Sequence, residues 1–126
     1  MAEPPPVAVN LDPDLAARSE CRLVTIGRTT GQPRELRIWF SVANGRVYLL
    51  AAERETHWVR NVRVDPRVRI RFKDRAFEGV ARFVEGDPAE PVARAAMESK
   101  YGTKYLGKWL REALPVEIEL TGEVAP

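Results

Sequence analysis

Five arginines, one histidine and two tryptophans are spaced so that they could serve an anionic, planar ligand. Arg28 and Arg34 bracket a turn, Arg37 follows on the next strand, and Arg54 and Arg60 flank the step Thr56-His57. Thr56 can cap a short helix. A helix start offers free N–H groups and the positive end of the helix dipole, which suits phosphate. Trp39 and Trp58 could flank a ring. A plainer alternative stands beside each reading. Trp58 lies at helical spacing with Val62 and fits a core, arginines on strand faces are commonly solvated, and a threonine at a helix start is usually only a cap. Taken alone, these residues point to a phosphate-bearing ligand without requiring one.

Other chemistries find little material. His57 is the only histidine and Cys21 the only cysteine, so no thiolate zinc site and no internal disulfide can be built. Ser19, Ser41 and Ser99 lie in no nucleophile elbow, and there is neither a P-loop nor a Gly-x-Gly-x-x-Gly fingerprint. No catalytic side chain and no metal site are expected. The net charge of +2 does not call for a nucleic-acid partner. Arginine outnumbers lysine sixteen to four. A GC-rich genome accounts for that bias as a whole and leaves individual arginines open. No apolar run approaches the roughly 20 residues needed to span a bilayer. Residues 1–6 lack the basic and apolar regions of a signal peptide. With a single cysteine, a reducing compartment is the default, and a cytoplasmic protein is expected.

The elements that must position these groups read mainly as strands. The 126 residues, 44% hydrophobic and 30% charged, fit one soluble domain with its own core. Residues 1–10 are Pro-rich and predicted flexible or extended, leaving 11–126 as the domain. Asp12-Pro13 opens a short helix to about Ser19. Strands are predicted over 21–27 and 34–42, with Leu36, Ile38 and Phe40 on one face of the second. Asn44-Gly45 is a hairpin signal, and 46–52 returns as the partner strand. A short helix from Thr56 ends at Asp65-Pro66. Val68, Ile70 and Phe72 then alternate with Arg67, Arg69 and Arg71, giving an apolar and a basic face. Residues 76–85 form the next strand, with Gly79 marking a bulge or close approach. Asp87-Pro88 opens a helix ending at Gly102, and a second runs from about Thr103 until Pro115. Val116, Ile118 and Leu120 make the last strand. The tally is six antiparallel strands, mainly β with short helices (α+β), which tend to close into a small barrel.

Residues 27–34, Gly-Arg-Thr-Thr-Gly-Gln-Pro-Arg, resemble the Gly-Arg-x-[Ser/Thr]-Gly-x-x-Arg signature of the deazaflavin-dependent nitroreductase and quinone-reductase family. That family belongs to the flavin/deazaflavin oxidoreductase group related to pyridoxamine-phosphate oxidase. The hairpin at 44–49, the helix at 57–62 and the strand entry Asp65-Pro66-Arg67-Val68 follow in the same order. The resemblance implies an FMN-binding-protein-like split barrel, acting as a homodimer with its cofactor in the groove between subunits. It implies that Arg28, Thr29 and Arg34 meet the phosphate-bearing tail of a deazaflavin, coenzyme F-420. It further implies that Arg37, Trp39, Ala51, Ala52 and Asn61 border the ring or ribityl part. Arg54 could add to the basic tail site, and Thr56-His57 occupies the phosphate position of FMN-binding relatives. Tyr101, Tyr105 and Trp109 match the aromatic segment that covers the substrate. Where the nitroreductase branch has a Ser-Lys-Gly-Gly loop, this chain has Ala52-Glu53-Arg54-Glu55, which brings two acids near that tail.

The implied activity is hydride transfer from reduced coenzyme F-420 to a small quinone, nitro or enone acceptor. Such chemistry belongs to the cofactor and needs no acid–base side chain. The alternatives are an FMN-dependent oxidoreductase on the same fold, or a non-catalytic flavin- or haem-binding protein. Nucleic-acid binding by the Arg67–Arg69–Arg71 stripe lacks an aromatic stacking surface on that strand.

Overall fold

The computed structural model describes residues 9–103 and 107–126. Period-two alternation builds its sheet. In β1 (Cys21–Ile26), Cys21, Leu23 and Thr25 turn inward and Arg22 outward. In β5 (Arg67–Arg71), Val68 and Ile70 are buried between exposed arginines. With β2 (Pro33–Ile38), β3 (Ser41–Ala43), β4 (Arg46–Ala51), β6 (Ala76–Phe83) and β7 (Leu114–Val124), the sheet has the order β2-β1-β5-β6-β7-β4-β3. Every pairing is antiparallel. The two edge strands, β2 and β3, are consecutive in the chain. Only Trp39 and Phe40 separate them, so the sheet must curl until its edges nearly meet. This is the split barrel, and its interior is filled by Leu23, Phe40, Leu49, Ile70, Phe77 and Ile118.

The barrel has seven strands rather than six, because the single strand expected over 34–42 is two. Residues 33–38 pair with β1 and residues 41–43 with β4. At the break Phe40 is fully buried and its ring meets Phe72 edge-on at 5.8 Å. Its backbone leaves the ladder altogether. The Phe40 N–H donates to the Tyr101 hydroxyl at 3.1 Å, and the Phe40 carbonyl accepts from Lys100 Nζ at 2.9 Å. Side chains of a distant helix thus satisfy the groups a neighbouring strand would have paired.

The turns follow their residues. Asn44 and Gly45 both have positive φ, 53° and 73°, as a tight hairpin requires. Gly79 sits at a register shift between β6 and β7. A Cβ there would lie 2.7 Å from Ile118 Cγ2 and 2.8 Å from the Glu119 carbonyl oxygen. The basic stripe is balanced: Arg67 pairs with Asp65 at 2.7 Å, Arg69 with Glu78 at 3.3 Å and Arg71 with Glu35 at 2.8 Å.

Among the described residues, four helices dress the barrel. α1 (Pro13–Ala16) is shorter than expected and buries Leu15. α2 (His57–Val64) lays Trp58, Val59, Asn61 and Val62 on the sheet. α3 (Ala89–Tyr101) ends at Gly102. α4 is described over Gly107–Glu112, and the start expected near Thr103 adjoins residues outside the described ones. Arg94 of α3 donates to the carbonyls of Leu110 at 2.7 Å and Ala113 at 3.0 Å, giving the end of α4 the partners its carbonyls lack within the helix. Val9 packs against the core, and the rest of the Pro-rich segment, residues 1–8, lies outside the described residues. No helix among the described residues is long and apolar enough to cross a membrane.

Candidate functional site

β1 ends at Ile26 and the chain turns back at once. The Gly27 N–H donates to the Gln32 carbonyl at 2.8 Å, and the Gly31 N–H to the Gly27 carbonyl at 2.8 Å. Thr30 Oγ1 accepts the Gln32 N–H at 3.2 Å. A Cβ on Gly27 would come within 2.7 Å of Thr30 Oγ1, so glycine is what lets this turn fold tightly. It delivers Arg28 and Thr29 to the side on which α2 begins, and Pro33 starts β2 with Arg34 next to it.

Thr56 precedes α2 in extended conformation, and its hydroxyl makes no capping bond. The first amides of α2 lack intrahelical acceptors. A cleft of about 520 Å³ opens between this helix start and the turn. Gly27, Arg28, Thr29, Arg34, Thr56, His57 and Asn61 line it, with Thr25, Thr30, Glu35, Leu36 and Trp58.

The charges in the cleft are unequal. Among the described residues, ten of the sixteen arginines pair with a carboxylate. Arg28 and Arg34 are not among them within the described residues. Glu35, the acid of the cleft, is engaged by Arg71. Glu55 is held by Arg63 at 2.8 Å, which keeps its carboxyl below the usual range. The cleft therefore retains two cations without matching anions, beside a helix start.

Six of the expected cofactor residues converge here: Arg28, Thr29, Arg34, Thr56, His57 and Asn61. The others lie elsewhere. Arg54 is drawn to Glu85 and to the Glu112 carbonyl, and that bond to Glu85 holds the carboxyl of Glu85 low. Ala51 is buried at the end of β4, and Ala52 is exposed just beyond it. Arg37 is exposed on β2 and lies 3.8 Å from Glu20. Trp39 lies beyond the far end of β2, roughly 16 Å along the strand from Arg34. There it stacks on Tyr101, with centroids 4.6 Å apart and planes at 12°. Trp109 meets Trp39 edge-on at 5.9 Å. Trp39, at 41% exposed, is the open face of this aromatic cluster. Burial pushes the Tyr101 phenol up to about 12. Tyr105 falls outside the described residues. Trp58, 7% exposed, belongs chiefly to the core and lines the cleft, whereas Trp39 is not among the cleft's lining residues.

Thr25, Thr30, Glu35 and Leu36 were not singled out from sequence. Thr25 carried a signal: it is a hydroxyl at an inward position of an otherwise apolar alternation.

The sequence model of the F420H(2)-dependent quinone reductase family matches residues 14–121, which include every residue of the cleft. The chain belongs to that family. Members of the F420H(2)-dependent quinone reductase family are oxidoreductases that depend on reduced coenzyme F-420, and the chain is an enzyme of this kind. Solved structures carry the same fold. An F420-H2 dependent reductase (FDR-A) is 21% identical with a TM-score of 0.66, covering 81% of this chain and 94% of its own. A conserved hypothetical protein of Mycobacterium tuberculosis is 22% identical with a TM-score of 0.70, covering 97% and 88%. HutZ, a haem storage protein of Vibrio cholerae, is 18% identical with a TM-score of 0.72, covering 93% and 95%. The cleft fits the family's cofactor: two unpaired arginines, a free threonine hydroxyl and open helix amides are donors suited to a phosphate and its neighbouring carboxylates.

Proposed function

We propose that the protein transfers a hydride from reduced coenzyme F-420 to a small quinone, nitro or enone acceptor. The observation that carries this reading is the pair Arg28 and Arg34, charged and unneutralised at a helix start in a chain of this family. Arg28, Thr29 and Arg34 would take the phosphate and carboxylates of the tail, with Thr56 and His57 completing the phosphate site. When bound, the reduced cofactor supplies the hydride. The side chains of this chain bind, orient and exclude water.

Trp39, Tyr101 and Trp109 offer an apolar platform for a flat acceptor. The hydroxyl of Tyr101 is engaged with the backbone: it lies 2.7 Å from the Ser19 carbonyl and 2.8 Å from that of Phe40, donating to one at a time. That fixes the ring as a surface rather than as an acid. A second copy of the chain closing the open side of the cleft would complete the enclosure that one small barrel lacks.

Two measurements test the proposal. Purified protein with reduced coenzyme F-420 is offered a quinone, a nitroaromatic and an enone, and cofactor oxidation is followed by absorbance. Oxidation dependent on protein and on at least one acceptor is expected, and its absence for all three would refute the acceptor class. Apo-protein is then offered coenzyme F-420 and FMN in competition at two salt concentrations. Coenzyme F-420 should win and weaken more with salt, because it is the more highly charged ligand. Tight FMN binding without coenzyme F-420 binding would favour the FMN alternative.

A further inference from the structure

We infer that Asn61 is a positioning residue, which holds Arg28 aimed into the cleft and leaves its charge uncancelled. The inference rests on the anion-binding reading of the cleft given above. Asn61 is 3% exposed, one turn into α2. Its Oδ1 accepts from the Arg28 backbone N–H at 3.2 Å and from Arg28 Nη1 at 2.8 Å. Its Nδ2 donates to Oγ1 of the fully buried Thr25 at 3.1 Å. The amide orientation is fixed, since reversing it would set NH₂ against two donors. Arg28 Nη2 also lies 3.3 Å from His57 Nδ1. Arginine only donates, so that ring nitrogen accepts and Nε2–H remains as the donor of His57.

β1, the turn and the helix start are thereby tied together through one side chain. A carboxylate at this position could accept the same two bonds, but it would neutralise Arg28 as Glu35 neutralises Arg71. An amide positions the guanidinium and adds no opposing charge. Because the folded chain already restrains Arg28, less side-chain entropy is lost when an anion binds. Asn61, placed by the family resemblance at the border of the cofactor, acts through Arg28.

The test compares wild type with Asn61→Asp, Asn61→Ala, Arg28→Ala and the double variant Arg28→Ala/Asn61→Ala. Each is titrated calorimetrically with coenzyme F-420 and with inorganic pyrophosphate at low and high salt, and each is melted. Asn61→Asp is expected to fold, to bind both anions roughly tenfold to a hundredfold more weakly, and to show a flatter salt dependence. Asn61→Ala should weaken binding in wild type and change nothing in the Arg28→Ala background, because its effect passes through that arginine. If Asn61→Ala does not fold, the near-isosteric Asn61→Asp carries the test through its affinity and salt slope. Asn61→Asp binding as tightly as wild type would overturn the inference, as would Asn61→Ala costing the same factor with and without Arg28. Wild type binding neither anion would overturn the anion-binding reading and this inference with it.

Discussion

Arg28 and Arg34 carry the same charge into the cleft but stand in different physical situations. Arg28 is tethered by Asn61 through its backbone and its guanidinium, so it meets an anion with its geometry already set. Arg34 is exposed on β2 and must be immobilised when it binds. Charge-assisted hydrogen bonds to charged groups contribute about 1.5–3 kcal/mol, or roughly 10- to 150-fold in dissociation constant. Arg28→Ala is expected to weaken coenzyme F-420 toward the upper part of that range and Arg34→Ala toward the lower. Both variants should keep the melting transition of the parent. Calorimetric titration checks it, and unchanged affinity in both would reduce these arginines to turn residues.

The link between β2 and β3 and the register shift between β6 and β7 at Gly79, where Thr121 of β7 is left without a partner, hold the barrel's shape. Phe40 fills the barrel at the link and carries Lys100 Nζ 3.7 Å above its ring centroid. Phe40→Ala removes that packing and leaves a cavity, for about 3–5 kcal/mol of destabilisation, read as a lower denaturant midpoint. At Gly79 any side chain would press on Ile118 and on the Glu119 backbone. A backbone neighbour cannot swing away as a side chain can, so Gly79→Ala should cost about 1–3 kcal/mol. Equal midpoints for Gly79→Ala and wild type would show that β6 and β7 can slide apart there.

Among the described residues, three groups whose protons are held by burial, Cys21, Tyr48 and Tyr101, make the folded molecule respond to alkali. Burial, foremost in each case, lifts Cys21 from 9.0 and Tyr48 and Tyr101 from 10.0, all to about 12. At Tyr48 the hydrogen bond to Glu117 at 2.9 Å adds to the effect. The native state keeps these protons longer than the unfolded chain. Their stabilisation is therefore full below pH 9 and is lost as pH rises through 9 to 12. Lys100 works the other way: burial lowers its pKa from 10.5, so its penalty fades as pH approaches that value and offsets part of the loss. The melting temperature should fall across that window, and Tyr101→Phe should flatten the fall. A melting temperature constant from pH 8 to 12 would contradict it. Light scattering at micromolar concentration should give twice the chain mass for the proposed dimer, and a monomer that still binds cofactor would refute it.

Local chemistry made much of this chain legible. Alternating Val68, Ile70 and Phe72 against three arginines, the Asn44-Gly45 turn and the Asp65-Pro66 stop follow from period, positive φ and a missing N–H, all of which act within a few residues. The turn at 27–34 likewise set Arg28 and Arg34 on one side of the chain. What lay beyond reach depended on partners far away in sequence. Nothing local distinguishes a strand over 34–42 from two strands broken at Phe40; the break exists because Lys100 and Tyr101, some sixty residues on, take the Phe40 backbone groups. Nor could the sequence say which arginines stay uncancelled. Arg54 and Arg28 look alike as residues, but the folded chain sets one against Glu85 and the other against the neutral amide of Asn61. An arginine's availability to a ligand is a property of what packs beside it, and that is settled only when α2 closes over β1.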